Sequence, residues 1–200
     1  EVGCGRGVSL EHGPEVAHMK TLASLLLLVV PALCSCASSG IGSATSSVDH
    51  PLERVALSPD GGELVDAIAA TLSSSGGYSG KVLSREETRS LLRSLEISSI
   101  TVGQPENLAK LAASGIDAWL YVEADVNALS DKPKSVLLRV LSTRKPDQYI
   151  QLDWKNGWGG MPGSLADAAM KKDAAEAGAE IGAEVAGLLA ATYEPARGTE

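Results

Sequence analysis

Ile116-Asp117-Ala118-Trp119-Leu120-Tyr121-Val122-Glu123-Ala124-Asp125-Val126 is the stretch that decides the fold. Side chains alternate along an extended chain. Ile116, Ala118, Leu120, Val122, Ala124 and Val126 therefore share one face, and Asp117, Trp119, Tyr121, Glu123 and Asp125 share the other. An apolar face opposite a carboxylate-and-aromatic face predicts a sheet covered by helices on one side. Toward the carboxyl end, residues 134–142 and 148–154 read as two further strands around the turn Arg144-Lys145-Pro146-Asp147. A glycine-rich loop, 157–163, then leads to Ser164, which with Asp167 caps an Ala-rich helix reaching about Thr192.

Toward the amino end, residues 106–113 form a short helix closed by Gly115. Ser84 and Glu87 make a Ser-x-x-Glu capping box that opens a helix carrying Leu91, Leu92 and Leu95. Residues 81–83 and 54–58 read as short strands. Between them Leu64, Val65, Ile68, Ala69 and Leu72 recur at helical spacing and give one apolar face. The order β-α-β-α-α-β-β-β-α predicts an α/β (α+β) fold, a mixed sheet of about five strands with helices packed on it. A single domain over residues 51–193 follows, with a tail at 194–200.

Two segments carry a family likeness. Val82-Leu83-Ser84-Arg85-Glu86-Glu87 before Leu91-Leu92 is a strand followed by an arginine-bearing helix, and Ala113-Ser114-Gly115-Ile116-Asp117-Ala118-Trp119-Leu120 is a small-Gly-x-Asp-Ala entry to a central strand. Together with the element order they resemble the periplasmic α/β domain of CsgG-type lipoproteins, of the TolB amino-terminal domain and of the penicillin-binding-protein activator lipoproteins. The chain departs from that group in lacking aromatic residues in its first strand and amphipathic membrane hairpins, so a pore is not expected.

The amino-terminal region reads as an address. Met19-Lys20 precedes an apolar run from Leu22 to Leu33, broken only by Ser24 and Pro31. That run is about a dozen residues, short of the roughly 20 that a spanning helix needs, and its positive flank is that of a secretion signal. Residues 1–18 lack such a pattern and are expected to precede the true start, leaving 19–35 as the signal. Leu33-Cys34-Ser35-Cys36 resembles a lipobox, in which cleavage falls between Ser35 and Cys36 and the Cys36 thiol takes a diacylglycerol. Acylated Cys36 would then hold the chain to a lipid bilayer with two chains rather than one. Ala37-Ser38, with no Asp after the cysteine, implies the periplasmic side of the outer membrane. Residues 37–48 are mainly Ser, Gly, Ala and Thr without apolar period and read as a flexible tether, so 36–50 is expected to be lipidated cysteine plus linker.

Composition narrows the chemistry. With 17 Lys+Arg against 25 Asp+Glu, a net charge of −8 and no basic cluster, nucleic acid is not an expected partner. Cys4, Cys34 and Cys36 are the only cysteines, so none remains for a disulfide or thiol chemistry after processing. Of the three histidines only His50 follows the signal, which argues against a Ser-His-Asp triad or a histidine metal cluster. No cofactor and no metal are expected, and no enzyme activity. Asp117, Glu123 and Asp125 are the remaining acid–base candidates, on a face that would grip a sugar or cation; a wall-glycan hydrolase is the reading they would support. The loop beside Trp154, with Trp158 and Met161, and the strand face bearing Trp119 and Tyr121 are the candidate partner contacts, since Trp is enriched at interface hot spots. Ala174, Gly178, Gly182 and Ala186 form a small-residue stripe open to close packing or self-association. The expected function is a membrane-anchored, non-enzymatic module that binds an envelope protein. The alternative is a homo-oligomerising subunit of an envelope assembly.

Overall fold

The computed structural model describes residues 39–126, 131–157 and 164–193. The chain divides into two compact units, 1–37 and 38–200, and every described residue belongs to the second. Cys36 and Ser35 fall outside the described residues, as do Trp158 and Met161.

The fold is a mixed six-stranded sheet with helices packed on it. The elements in chain order are β1 (Gly40–Ser46), β2 (Arg54–Leu57), α1 (Gly62–Ser74), β3 (Lys81–Val82), α2 (Arg85–Ser94), a 3-10 turn (Ser99–Thr101), α3 (Pro105–Ala113), β4 (Ala118–Val126), β5 (Pro133–Ser142), β6 (Tyr149–Lys155), α4 (Leu165–Met170) and α5 (Ala174–Ala191). The sheet order is β1-β6-β5-β4-β2-β3. The pairs β4–β5, β5–β6 and β6–β1 are antiparallel, whereas β2 runs parallel to both β3 and β4.

Two expectations are corrected here. The stretch read as a tether contains β1, whose Gly40 pairs with Lys155 and Ser46 with Ile150. Its lack of an apolar period does not prevent pairing, because an edge strand is held by the backbone donors and acceptors of its neighbour, and its one large apolar residue, Ile41, packs against the core. The sheet thus gains a sixth strand and the fold begins before residue 51. The single carboxyl-terminal helix is two. Lys171-Lys172 breaks it, and Asp173 restarts α5 with a reciprocal capping box to Glu176.

The core lies on both faces of the sheet. On one, α1 and α5 cover Val55, Leu57, Leu120, Val136, Leu138, Val140, Ile150, Leu152 and Trp154. Gly178 and Gly182 let the two helices meet closely: a Cβ on Gly178 would stand 2.6 Å from the Ala67 Cβ and 2.7 Å from the Leu64 carbonyl oxygen, and one on Gly182 would stand 2.8 Å from the Thr71 Cβ. The small-residue stripe is therefore spent on α1, within the chain. On the opposite face α2 and α3 cover only the parallel end, where Ala56, Leu92, Leu108, Leu111, Ile116 and Trp119 form a second cluster. Both faces of β2 are consequently buried, as parallel strands require. The expectation of helices on one side holds for the antiparallel half and fails for the parallel half.

Local signals act where the sequence placed them. The Ser84 hydroxyl accepts from the Glu87 N–H at 3.2 Å, and the Glu87 carboxylate accepts from the Ser84 N–H at 2.8 Å. Gly115 ends α3 at φ +80°, a left-handed conformation that glycine adopts without steric cost.

Candidate functional site

What the helices leave uncovered is one face of the antiparallel half. Register puts Tyr121, Arg139, Gln151 and Thr45 in one row across β4, β5, β6 and β1. Glu123, Leu137, Asp153 and Ser43 form the next. The polar members are joined. Arg139 donates from Nη1 to the Tyr121 hydroxyl at 3.2 Å and from Nε to Gln151 Oε1 at 2.9 Å. Ser43 donates to Asp153 Oδ2 at 2.7 Å. The hydrogen bond that Arg139 donates to Tyr121 raises its pKa above the ordinary value. Apolar Leu137 and Leu141 lie half-buried between these groups, and Tyr149 is exposed beside them. A shallow hollow of about 220 Å³ sits over Arg139, Leu141, Tyr149 and Gln151.

A larger half-open cavity of about 440 Å³ adjoins it where β4 passes under the 3-10 turn and the start of α3. Trp119, Tyr121, Glu123 and Leu141 make its floor, and Ile100 and Gln104 its wall. Ile100 is 92% exposed, a large apolar side chain with no cover in the described chain.

The candidate contacts separate under this geometry. Tyr121 stays on the open face. Trp119 does not: it is only 3% exposed, packed in the cluster beneath α2 and α3. Trp154 is fully buried in the main core, and its Nε1 donates to Glu180 at 2.9 Å. Both were expected at a surface and both are core residues, Trp154 because its inward parity on β6 faces α5. Glu180 is half-buried beside it. Burial raises its pKa, but hydrogen bonds from Lys172 and Trp154 outweigh that and hold it below the ordinary value.

Asp117 is likewise lost to the acid–base reading. It is 5% exposed, accepts from the Arg54 N–H at 3.0 Å and pairs with Arg144. It ties the entry of β4 to β2 and to the β5–β6 turn. Glu123 and Asp125 remain exposed, Asp125 facing Lys134 at 3.6 Å.

One arrangement runs against the sequence argument. His50 Nδ1 lies 3.1 Å from Asp49 Oδ1, and its Nε2 lies 3.1 Å from the Ser142 hydroxyl. A Ser-His-Asp alignment thus exists on a single histidine. Ser142, however, has no exposed surface, and its oxygen already accepts from the Lys145 N–H. A carbonyl cannot approach it, so this geometry serves as a clasp between the β1–β2 link and the β5–β6 turn. Hydrogen bonds from Lys145, Gln148 and His50 hold the Asp49 carboxyl far below its usual range. Sequence reasoning missed the clasp because its members are 92 residues apart. No group of three or more His, Cys, Asp or Glu that would hold a metal ion occurs among the described residues, and no helix among them is long and apolar enough to cross a membrane.

No family model matches the sequence, and no curated protein does. Among solved structures the chain is similar to the PelC dodecamer from Paraburkholderia phytofirmans, at 13% identity and a TM-score of 0.39, covering 73% of this chain and 99% of that one. A point variant of the same PelC aligns at 12% identity and a TM-score of 0.36, covering 74% and 99%.

Proposed function

We propose that this chain is an envelope lipoprotein, anchored through acylated Cys36 on the periplasmic side of the outer membrane. Its α/β domain is a non-enzymatic module that binds an envelope protein on the open sheet face. The observation that carries this reading is the row Tyr121–Arg139–Gln151 with its flanking leucines and cavity. Such a surface offers directional polar contacts between apolar patches, the composition of a protein interface. It also accords with the resemblance of residues 82–92 and 113–120 to the CsgG-type lipoproteins. Two experiments test the two halves of the proposal. Radiolabelled palmitate should mark the chain, and Cys36→Ser should abolish both label and membrane retention. Cross-linking in whole cells should capture a partner that a Tyr121→Ala/Arg139→Ala variant fails to capture; equal capture by the variant rejects the surface.

The second reading, an oligomerising subunit, is favoured by β1. This edge strand, Gly-Ile-Gly-Ser-Ala-Thr-Ser, carries neither charge nor proline on the outermost position of the sheet, the devices by which edges normally refuse a further strand. Light scattering of the solubilised protein decides it: a strict monomer removes this reading.

A further inference from the structure

The short distance between anchor and fold has a consequence for how the domain meets the membrane, given the lipid-anchor reading above. Because β1 is part of the sheet, only Ala37 and Ser38 separate Ser39 from Cys36, a span of three residue steps. Three residues reach at most about 10 Å, whereas a dozen flexible ones would give roughly 20 Å of slack. The headgroup layer of one leaflet is itself roughly 5–8 Å deep. The end of the sheet where β1 starts must therefore rest at headgroup depth.

That end is one hydrogen-bonded pole. Ser39 donates to Glu180 at 3.4 Å, and Lys172 Nζ reaches the same carboxylate at 2.8 Å. Asn156, just past β6, donates to the carbonyls of Pro133 and Lys172 and accepts from the Lys172 N–H. Lys132 Nζ donates to the Lys171 carbonyl at 2.6 Å. The beginnings of β1 and β5, the end of β6 and the α4–α5 link are thereby held together.

α4 ends next to Lys171 and is inverted in polarity. Leu165 is 91% exposed and Met170 50%, with Ala166 and Ala169 also exposed. Its one charged side chain, Asp167, is 1% exposed and pairs with Lys171 at 2.7 Å. A helix facing water carries its charges outward and its apolar groups inward. Around α4, the lysine–carboxylate pairs Lys171–Asp167, Lys172–Glu180 and Lys134–Asp125 balance charge. Lys155 adds an exposed ammonium on a stem long enough to lie along apolar surface. Asp173 and Glu176 add exposed carboxylates where α5 begins, so the contact rests on the apolar side chains of α4 and not on charge.

We infer that α4 is a second membrane contact, with Leu165 and Met170 entering the interfacial layer beside the acyl chains of Cys36. The domain then stands on the bilayer in one orientation. β6 rises from it by about 20 Å, carrying Tyr149, the open face and the cavity away from the lipid and toward a partner.

The test uses the lipidated protein in vesicles of phosphatidylethanolamine and phosphatidylglycerol containing a nitroxide-labelled lipid. An environment-sensitive fluorophore is placed on Leu165→Cys or on Ile100→Cys, both positions being highly exposed. Quenching several-fold stronger at 165 than at 100 is the expected result. Equal quenching at both, in protein that floats with the vesicles, overturns the inference and leaves the anchor intact. Failure to float with the vesicles overturns the anchor and this inference with it. A fluorophore on Lys155→Cys should lose most of its quenching in a Leu165→Glu/Met170→Glu background; unchanged quenching there also overturns the membrane contact.

Discussion

The two faces of the antiparallel half-sheet are made from the same strands and do opposite things. On β5 and β6 the inward positions Val136, Leu138, Val140, Ile150, Leu152 and Trp154 are all buried, while Arg139, Leu141, Gln151 and Asp153 on the other side remain half-open. The covered face is closed by a helix pair so tight that its approach excludes a Cβ at Gly178. The open face is held by hydrogen bonds between side chains that water can replace. Stability is therefore concentrated on one side and recognition on the other, and substitutions should sort accordingly.

The largest effect is expected at Trp154. Truncation to Ala removes the biggest fully buried side chain and the Glu180 hydrogen bond, and should cost about 3–5 kcal/mol in denaturant unfolding. Gly178→Ala should cost about 1–3 kcal/mol by overpacking against α1. Gly187, exposed on the same helix with nothing within 4 Å of an added Cβ, should respond with the opposite sign and stabilise by about 1 kcal/mol as Ala. If both glycine variants moved stability the same way, the tight α1–α5 approach would be refuted. Smallest of all, Arg139→Ala on the open face should change stability by no more than about 0.5 kcal/mol while weakening partner capture.

Acid should act on the covered side as well. Glu180 has its folded pKa below the ordinary 4.5, so its contribution is fully present above that value. It is lost as pH falls through the lowered folded pKa. Glu87, lowered by its hydrogen bonds with Ser84, works in the same direction. Thermal unfolding followed from pH 7 downward should show stability declining below about 4.5. Glu180→Gln should flatten that decline.

Legibility differed by the range of the physics involved. The capping box at Ser84 and the Gly115 stop are local, and each lies where the sequence pattern placed it. The alternation of β4 holds only in part: Ala118 and Leu120 enter the main core, but Ala124 and Val126 are exposed and Ile116 joins the opposite cluster. The break before α5 was equally local: Asp173 and Glu176 form a second capping box inside an Ala-rich run, a signal present and overlooked because the flanking helix pattern is continuous. Trp119 misled for a different reason. Its parity assigns it to the polar face, and only the crossover of α2 and α3 onto that face buries it. Of the candidate surface, Tyr121 was legible, whereas Arg139 and Gln151 gain meaning only from register.

By itself, the sequence determined what propensity, alternation and capping can encode within a dozen residues: most helices and strands, the apolar faces, and the motif at Cys36 that suggests a lipid anchor. Tertiary structure alone decided that a glycine-and-serine stretch is a strand, that Trp154 is core, and that Asp49, His50 and Ser142 meet. Those outcomes depend on which backbone edge and which helix arrive from far along the chain. No local free energy contains that information.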